Sequence, residues 1–252
     1  MSLIDSIKTT SLACKARPIK YRISEIFDSS FLQNGKISYS QFGEDIILES
    51  IFIRLSISRV KYLDIGAHHP RYLSNTYFFY CRGGHGVCIE PNPSLFAAIQ
   101  TKRPNDICLN IGVGFDEATE ADFYIMSNPL LSTFSKEEAE ELQKFEDHTV
   151  SQVVRLPLKP INAILEQFFD KGIDLVSIDV EGLDMAILAS LDFALFRPTV
   201  FCVETIVYTA GQQIQKRQEI IDYLVSHDYF VYADTCCNSI FVDIHKWPET
   251  NL

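Results

Sequence analysis

The stretch "YLDIGAHHP", residues 62–70, sets the fold class of the chain. An apolar run ends at Asp64 and Gly66, as a buried strand of a parallel sheet does where it meets a ligand-facing loop. Glycine lets the backbone approach a ligand, and a carboxylate accepts hydrogen bonds from ammonium or hydroxyl groups. The stretch therefore predicts a strand followed by a binding loop, in which His68 and His69 come next.

Strand-like and helical segments alternate on both sides of this stretch. The spacing of apolar residues predicts a helix over 41–55, and a further helix is expected over "SNTYFFYCRG", residues 74–83. Another helix follows the N-cap Asn92, whose next residue is Pro93. Such alternation predicts a parallel sheet with helices on both faces. The segment "YFVYADTCCNSIFVDI", residues 229–244, predicts a closing hairpin. An antiparallel hairpin at that place is typical of class I methyltransferases and unusual for dinucleotide oxidoreductases.

Three segments depart from the simple alternation. We expect residues 1–38 to form an N-terminal helical arm and residues 39–252 to form one domain. An insertion at about 115–158 carries two strands around a very acidic helix that Ser135 caps, and it is a candidate lid. A further helix is predicted around residues 213–226.

Composition excludes several classes of function. The 252 residues carry a formal net charge of -11, which works against binding to nucleic acid phosphates. No run of about 18 apolar residues predicts a membrane span. The seven cysteines have no paired metal-ligand spacing, which argues against structural zinc and fits a cytoplasmic protein.

Two acids at successive strand ends indicate a ribose-containing cofactor. Glu90 follows Asp64 by 26 residues, where an acid can hold both hydroxyls of a ribose. The loop after Gly66 is Ala67-His68-His69-Pro70 and lacks the glycines that admit a pyrophosphate. S-adenosylmethionine has a ribose and no phosphate, so it tolerates this loop, whereas a nicotinamide cofactor would need the glycines.

A third strand end, "SIDVEGLD" at residues 177–184, carries the candidate catalytic groups. Asp179 and Glu181 are candidate bases for a hydroxyl nucleophile, and the alternative is that they cap the following helix. Asp179 and Glu204 are also candidate ligands of a shared Mg²⁺ or Mn²⁺, since hard cations prefer oxygen ligands. His68 and His69 are candidates for proton acceptance or substrate contact, or else for local packing and hydrogen bonding in their loop.

The stretches "YSQFGEDIIL", "LDIGAHHP", "SNTYFFYCRG", "IEPNP" and "IDVEGLD", in this order, resemble the FkbM family of S-adenosylmethionine-dependent methyltransferases. The resemblance implies a class I, Rossmann-like, doubly wound and mostly parallel seven-stranded sheet that ends in an antiparallel hairpin, with residues 39–252 as the methyltransferase domain. It implies that Asp64, Gly66 and Glu90 line the cofactor site and that the turn at 179–182 lies beside the transferred methyl. His68 stands where many methyltransferases have glycine, and Asp184 replaces a glutamate of the family.

The expected function is O-methylation of a hydroxyl on a sugar, glycan or natural product. Further candidate cofactor contacts are Gln41 and Asp45 at the start of the first helix, and Ala67 and Asn75 in and after the loop. Asn110 is a candidate on the adenine side, and the alternative is an asparagine that only forms a turn. Acids in a first helical turn are also favoured by the helix dipole alone. The alternatives are a nicotinamide-dependent oxidoreductase and a non-catalytic S-adenosylmethionine-binding module.

Overall fold

The structure is a computed structural model that describes residues 35–144, 147–169, 172–180, 182–208 and 214–248. Most of the predicted arm at 1–38 lies outside these residues. The chain divides into two units, and each is described by itself. The large unit holds residues 38–205 and those from 217 onward, and the described part of the small unit includes the segment 206–208 and 214–216.

The large unit is built on a seven-stranded sheet in which strands and helices alternate along the chain. Its strands are β1 (Lys61–Ile65), β2 (His85–Ile89), β3 (Ile107–Leu109), β7 (Leu175–Ile178), β8 (Val200–Glu204), β11 (Tyr229–Asp234) and β12 (Asn238–Asp243). The helices of this unit are α1 (Glu44–Arg54), α2 (Tyr77–Tyr80), α3 (Pro93–Lys102), α4 (Lys136–Leu142), α5 (Ile161–Phe168), α6 (Asp184–Ser190) and α7 (Gln218–Ser226).

The strand order is β11-β12-β8-β7-β1-β2-β3. Strand β1 pairs in parallel with β2 and β7, and β12 is antiparallel to both β8 and β11. The predicted doubly wound, mostly parallel sheet with a closing antiparallel hairpin is confirmed. Because the chain winds outward from β1 in both directions, a crevice is expected outside the carboxyl ends of β1 and β7.

Alternation along the strands divides the sheet into two buried faces. Leu63, Ile65 and Ile178 face one hydrophobic cluster, in which α5 contributes Ile161 and Ile164. Tyr62, Cys88 and Cys202 face the other, in which α1 contributes Leu48 and Ile51. Since side chains on a strand alternate between faces, Asp64, Asp179 and Glu204 project on the side of α1.

The predicted N-caps hold in the structure. The side chain of Asn92 accepts a hydrogen bond from Ser94 N at 3.0 Å and Pro93 is the first residue of α3. Ser135 Oγ accepts from Glu138 N at 3.1 Å at the start of α4. In a complete capping box, the side chain of Glu138 would accept a hydrogen bond from Ser135 N. Here Ser135 N donates to Thr133 Oγ1 instead, at 3.0 Å.

The two strands of the insertion, β5 (Glu120–Met126) and β6 (Val150–Pro160), pair with each other, and β6 also pairs with β4 (Gly112–Gly114), which precedes the insertion; the order is β4-β6-β5. The acidic helix α4 lies between β5 and β6 in sequence, as predicted. In the small unit, β9 (Ile206–Tyr208) and β10 (Ile214–Lys216) pair as an antiparallel hairpin.

Two predicted boundaries are wrong, and one helix was not predicted. The predicted helix over 213–226 begins only at Gln218, because residues 214–216 pair with β9. The "SNTYFFYCRG" helix shrinks to Tyr77–Tyr80 and ends in a turn at Gly83, where φ is +82°. The helix that was not predicted, α6, follows the turn after β7. No helix among the described residues has both the length and the apolar composition needed to cross a lipid bilayer.

Candidate active site

Glu90 presents an oriented carboxylate at the carboxyl end of β2. Its Oε2 accepts from His68 N and its Oε1 from Asn92 N, both at 2.7 Å. The residue is only 5% exposed. Burial raises the pKa of Glu90 to about 8, the nearby charge of Asp64 adds to this, and the two backbone hydrogen bonds oppose it. Each oxygen keeps acceptor capacity, so the group fits a pair of ribose hydroxyls.

Gly66 joins the cofactor loop to the catalytic candidate. Its φ is +82°, and a Cβ built there would lie 1.9 Å from the backbone oxygen of Asp179. The loop is fixed further by Asp179 N, which donates to Ile65 O, and by the Gly66 and Ala67 amides, which both donate to Ile89 O, each at 3.0 Å. Glycine is required here because two strand ends pack closely against each other. The sequence alone suggested a different reason, the approach of a ligand to the backbone.

The carboxyl groups of Asp179, Asp184 and Glu204 lie near one another at the edge of the sheet formed by the ends of β7 and β8. Burial raises the pKa of the partly exposed Asp179 to about 7, and repulsion by Asp184, Asp64 and Glu44 adds to it. Burial also raises the pKa of Glu204 to about 9, with further contributions from the charges of Asp179 and Asp184. Near neutral pH, Asp179 is therefore a half-ionised base beside a Glu204 that is mostly protonated.

The turn after β7 is held by Asp184, which replaces the glutamate of the resembling family. Its carboxylate accepts from Val180 N at 3.2 Å and Gly182 N at 3.3 Å, and it is fully buried. Arg217 Nη1 donates to Gly182 O at 3.3 Å. A Cβ on Gly182 would also lie 3.4 Å from Glu138 Oε2, so α4 of the insertion reaches this turn. Glu181, the second predicted base, lies outside the described residues.

The two histidines play different parts in the loop. Nδ1 of His69 accepts from Arg71 N at 3.2 Å and Tyr72 N at 2.8 Å, which is the local role that the sequence left open. His68 adopts a left-handed backbone, with φ +49°. Its Nδ1 is buried with no hydrogen-bond partner among the described residues, and burial, with the charge of His69, lowers its pKa.

Three predicted cofactor residues make hydrogen bonds that brace the strand ends. Asn110 Nδ2 donates to the carbonyl oxygens of Glu90 and Pro91 at 2.8 and 2.7 Å. Asn75 Nδ2 donates to Ser177 Oγ at 3.1 Å. Asp64, 4% exposed, accepts from the hydroxyl of Thr76. Burial raises the pKa of Asp64, while Arg103 and Thr76 lower it.

The start of α1 is the remaining predicted region. The fully buried Asp45 accepts from Ser38 Oγ at 2.6 Å and Tyr39 N at 2.6 Å, so it orders the segment before the helix. Gln41 is exposed in that segment. Although burial alone would raise the pKa of Glu44, hydrogen bonds from Thr235, Asn238 and the Phe42 amide lower it.

The proposed metal ligands do not form a metal site with their neighbours. Among the residues that the structure describes, no group of three or more His, Cys, Asp or Glu side chains is arranged to hold a metal ion. Asp179 and Glu204 follow the register pair Ile178 and Val203 on adjacent strands. Burial is the main cause of both raised pKa values, and the charge of Asp179 raises the pKa of Glu204 further.

An apolar cleft opens beside Glu90 at the carboxyl ends of the strands. Phe134, from the segment before α4, lies over it, with its Cζ 2.6 Å from the position of a Cβ on Gly112. The ring of Phe134 packs against that of Phe123 with centroids 4.7 Å apart. Apolar lining next to the acid that the sequence predicts to bind ribose is the kind of surface on which a purine ring packs. The lining of the cleft includes Gly66, Pro91, Gly112, Phe134, Val180 and Leu183.

Sequence reasoning did not find the groups that support these acids. Arg103 and Thr76 stand behind Asp64, and Arg217 and Glu138 stand beside the turn after β7. Phe134 lies over the cleft. Arg103, Arg217 and Phe134 belong to no motif with fixed spacing. Thr76 and Glu138 lie in the "SNTYFFYCRG" stretch and the capping box, but neither pattern indicates a contact with these acids.

Comparison with known proteins supports one family. A family model described as "Methyltransferase FkbM domain" matches residues 64–231, more than half of the chain. No curated protein matches the chain.

Several solved structures are similar at low identity. A TehB-like SAM-dependent methyltransferase from Corynebacterium glutamicum is 10% identical, with a TM-score of 0.41, over 85% of this chain and 92% of the other. An O-methyltransferase from Bacillus cereus in complex with SAH is 12% identical, with a TM-score of 0.40, over 87% and 88%. The 1,6-didemethyltoxoflavin-N1-methyltransferase of Burkholderia thailandensis is 12% identical, with a TM-score of 0.39, over 84% and 82%.

Proposed function

Since the chain belongs to the FkbM methyltransferase family, we propose that it transfers the methyl group of S-adenosylmethionine to a hydroxyl oxygen of a sugar, glycan or polyhydroxylated natural product. Family membership makes the chain an S-adenosylmethionine-dependent methyltransferase, and the nicotinamide alternative is not retained. The observation that carries the proposal is the position of Asp179, a partly exposed residue whose carboxyl has a pKa of about 7 and whose backbone carbonyl lies directly against the loop residue Gly66.

The proposal assigns each part of the cofactor to residues at the carboxyl ends of the strands. Glu90 would hold the ribose hydroxyls, and the apolar cleft between Pro91, Gly112 and Phe134 would hold the adenine. Asp64 would accept a hydrogen bond from the ammonium group of the cofactor's amino-acid tail. When bound, S-adenosylmethionine supplies an electrophilic methyl carbon on a sulfonium.

The chain's own contribution to the reaction is to handle the proton of the acceptor. An alcohol is a poor nucleophile until a base takes its proton. In the proposed reaction Asp179 accepts that proton at a carboxylate oxygen while the alcohol oxygen attacks. Asp184, Asp64 and Glu44 surround Asp179 with negative charge, which strengthens it as a base. A metal ligand set is not part of the proposal, because the described residues do not supply one.

A transfer assay tests the proposal. The enzyme is incubated with S-adenosylmethionine and a panel of glycosides, polyketide alcohols, amines and thiols, and each product is examined by mass spectrometry for a gain of one methylene group. We expect gain on hydroxyl acceptors only, unaffected by EDTA. Asp179→Asn should lower kcat by about 10²-fold while the Kd of the cofactor changes only a few-fold.

Other outcomes contradict separate parts of the proposal. Transfer to nitrogen or sulfur alone would refute O-methylation. Loss of activity in EDTA with recovery in Mg²⁺ or Mn²⁺ would require a metal and assign Asp179 and Glu204 to it. A folded Asp179→Asn enzyme with normal kcat would remove Asp179 as the base.

A further inference from the structure

An arginine is buried directly behind the acid proposed to hold the cofactor's tail. Arg103 follows the last residue of α3 and is 0% exposed. Its Nη2 donates to Thr76 Oγ1 at 2.9 Å and to the hydroxyl of Tyr62 at 3.1 Å. Its Nε donates to Asp106 at 2.7 Å, and its Nη1 lies 3.9 Å from Asp64 Oδ2.

This arrangement fixes the direction of the Thr76 hydroxyl. A threonine hydroxyl has one hydrogen to donate and lone pairs to accept. Because Arg103 Nη2 is a donor with no acceptor capacity, it occupies a lone pair of Thr76 Oγ1. The single hydrogen of Thr76 is then directed to Asp64, and Asp64 is held by a chain of two hydrogen bonds that starts at Arg103.

Arg103 also sets the charge of the group. With Arg103 and Asp106 paired, the trio that includes Asp64 carries one net negative charge. Without the guanidinium, the carboxylate of Asp106 would face Asp64 in a buried region with no cation between them, and the pKa of Asp64 would rise. The other groups around Asp64 do not replace Arg103. They are the hydroxyls of Thr76 and Ser177, the buried thiol of Cys88, and the carboxyls of Glu90 and Asp179.

We propose that Arg103 is a positioning residue for cofactor binding, which keeps the carboxylate of Asp64 ionised and oriented so that Asp64 can accept a hydrogen bond from the ammonium group of S-adenosylmethionine. The inference rests on the proposed function, which assigns that ammonium to Asp64. It predicts that Arg103 affects recognition of the amino-acid tail and leaves recognition of the adenosine part unchanged.

Two ligands separate these effects. S-adenosylmethionine carries the amino-acid tail, and 5′-methylthioadenosine has the same adenosine part without it. The Kd of each is measured by calorimetry between pH 6 and 8.5 for the wild type and for Arg103→Met, which keeps the length of the side chain and removes its charge. We expect a loss of about tenfold for S-adenosylmethionine at neutral pH, partly recovered at higher pH as Asp64 ionises, and an unchanged Kd for 5′-methylthioadenosine.

Arg197→Met is the matched control. Arg197 donates to both carboxylate oxygens of the buried Asp243 at 2.9 and 3.0 Å, next to β8 and β12. Its loss should lower stability toward urea and leave the ratio of the two Kd values unchanged. If Arg103→Met does not fold, Thr76→Val removes the hydroxyl link while keeping the side-chain shape, and it should cause the same selective loss.

Three outcomes would contradict the inference or the assignment of Asp64 on which it rests. Equal weakening of both ligands in Arg103→Met would mean a structural role only and would overturn the inference. The inference would also be overturned if Asp64→Asn selectively weakened S-adenosylmethionine binding and neither Arg103→Met nor Thr76→Val reproduced that loss. If Asp64→Asn leaves the ratio of the two Kd values unchanged, the assignment of Asp64 to the cofactor's tail fails first, and the inference fails with it.

Discussion

Replacing Gly66 with alanine should damage the protein far more than the same change at Gly83, although both glycines have a φ of +82°. A left-handed backbone costs an L-residue about 1 to 2 kcal/mol, and both variants pay this cost. At Gly83 no described atom lies within 4 Å of the new Cβ. We therefore expect Gly83→Ala to lower the free energy of unfolding by about 1 to 2 kcal/mol.

Gly66→Ala adds a clash with the sheet itself. The new Cβ would lie 1.9 Å from Asp179 O and 3.0 Å from Asp179 C, so the ends of β1 and β7 must separate by about 1 Å or more to restore van der Waals contact. Overpacking of this kind typically costs about 1 to 3 kcal/mol. Added to the backbone cost, the total loss should be about 2 to 5 kcal/mol, a large part of the stability of an ordinary domain.

Urea unfolding followed by circular dichroism measures both variants against the wild type. Because the clash displaces Asp179 and the cofactor loop together, Gly66→Ala should also weaken binding of S-adenosylmethionine, whereas Gly83→Ala should not. Equal losses of stability in the two variants would refute the reasoning, since the close approach of the two strand ends would then have no energetic consequence. If Gly66→Ala is recovered only as insoluble protein while Gly83→Ala is soluble, the predicted order stands.

Three further measurements address the site. Because the pKa of Glu90 is raised to about 8, its ionised fraction grows as pH rises through 8, and the affinity for S-adenosylmethionine should increase about tenfold between pH 7 and 9. Glu90→Gln should flatten this dependence in calorimetry, and an equal slope in both proteins would exclude Glu90 from the ribose site. Because Asp179 must be ionised to act as base, kcat should rise with pH through about 7 and level off above it, as a single ionisation in the pH profile. A flat profile of kcat over pH 6–8 would argue against Asp179 as the base. Amide exchange in α4 should be faster than in β7, because α4 exposes Glu137, Glu140 and Glu141 and buries only Ala139; equal protection would contradict a movable cover.

The local pattern of the sequence was enough to predict the sheet and its ligand-binding edge. Buried strands of a parallel sheet are continuous apolar runs, so "YLDIG" and "LVSID" could be recognised as strands from their own residues. Strand ends with an acid, at Asp64, Glu90 and Asp179, then had to meet at one edge, because parallel strands end on the same side. The N-cap Asn92 and the closing hairpin were local signals of the same kind.

Only the tertiary structure decided how these acids are supported and charged. The contacts of Asp64 with Arg103, of Glu44 with Asn238, and of Glu138 with the turn at Gly182 join residues that are far apart in sequence. Burial and the surrounding charges, which depend on the packed fold, separate Asp179, with a pKa of about 7, from Glu204, with a pKa of about 9. The sequence determines which residues reach the site edge because strand ends are local features, whereas protonation and orientation depend on long-range neighbours that no local pattern contains.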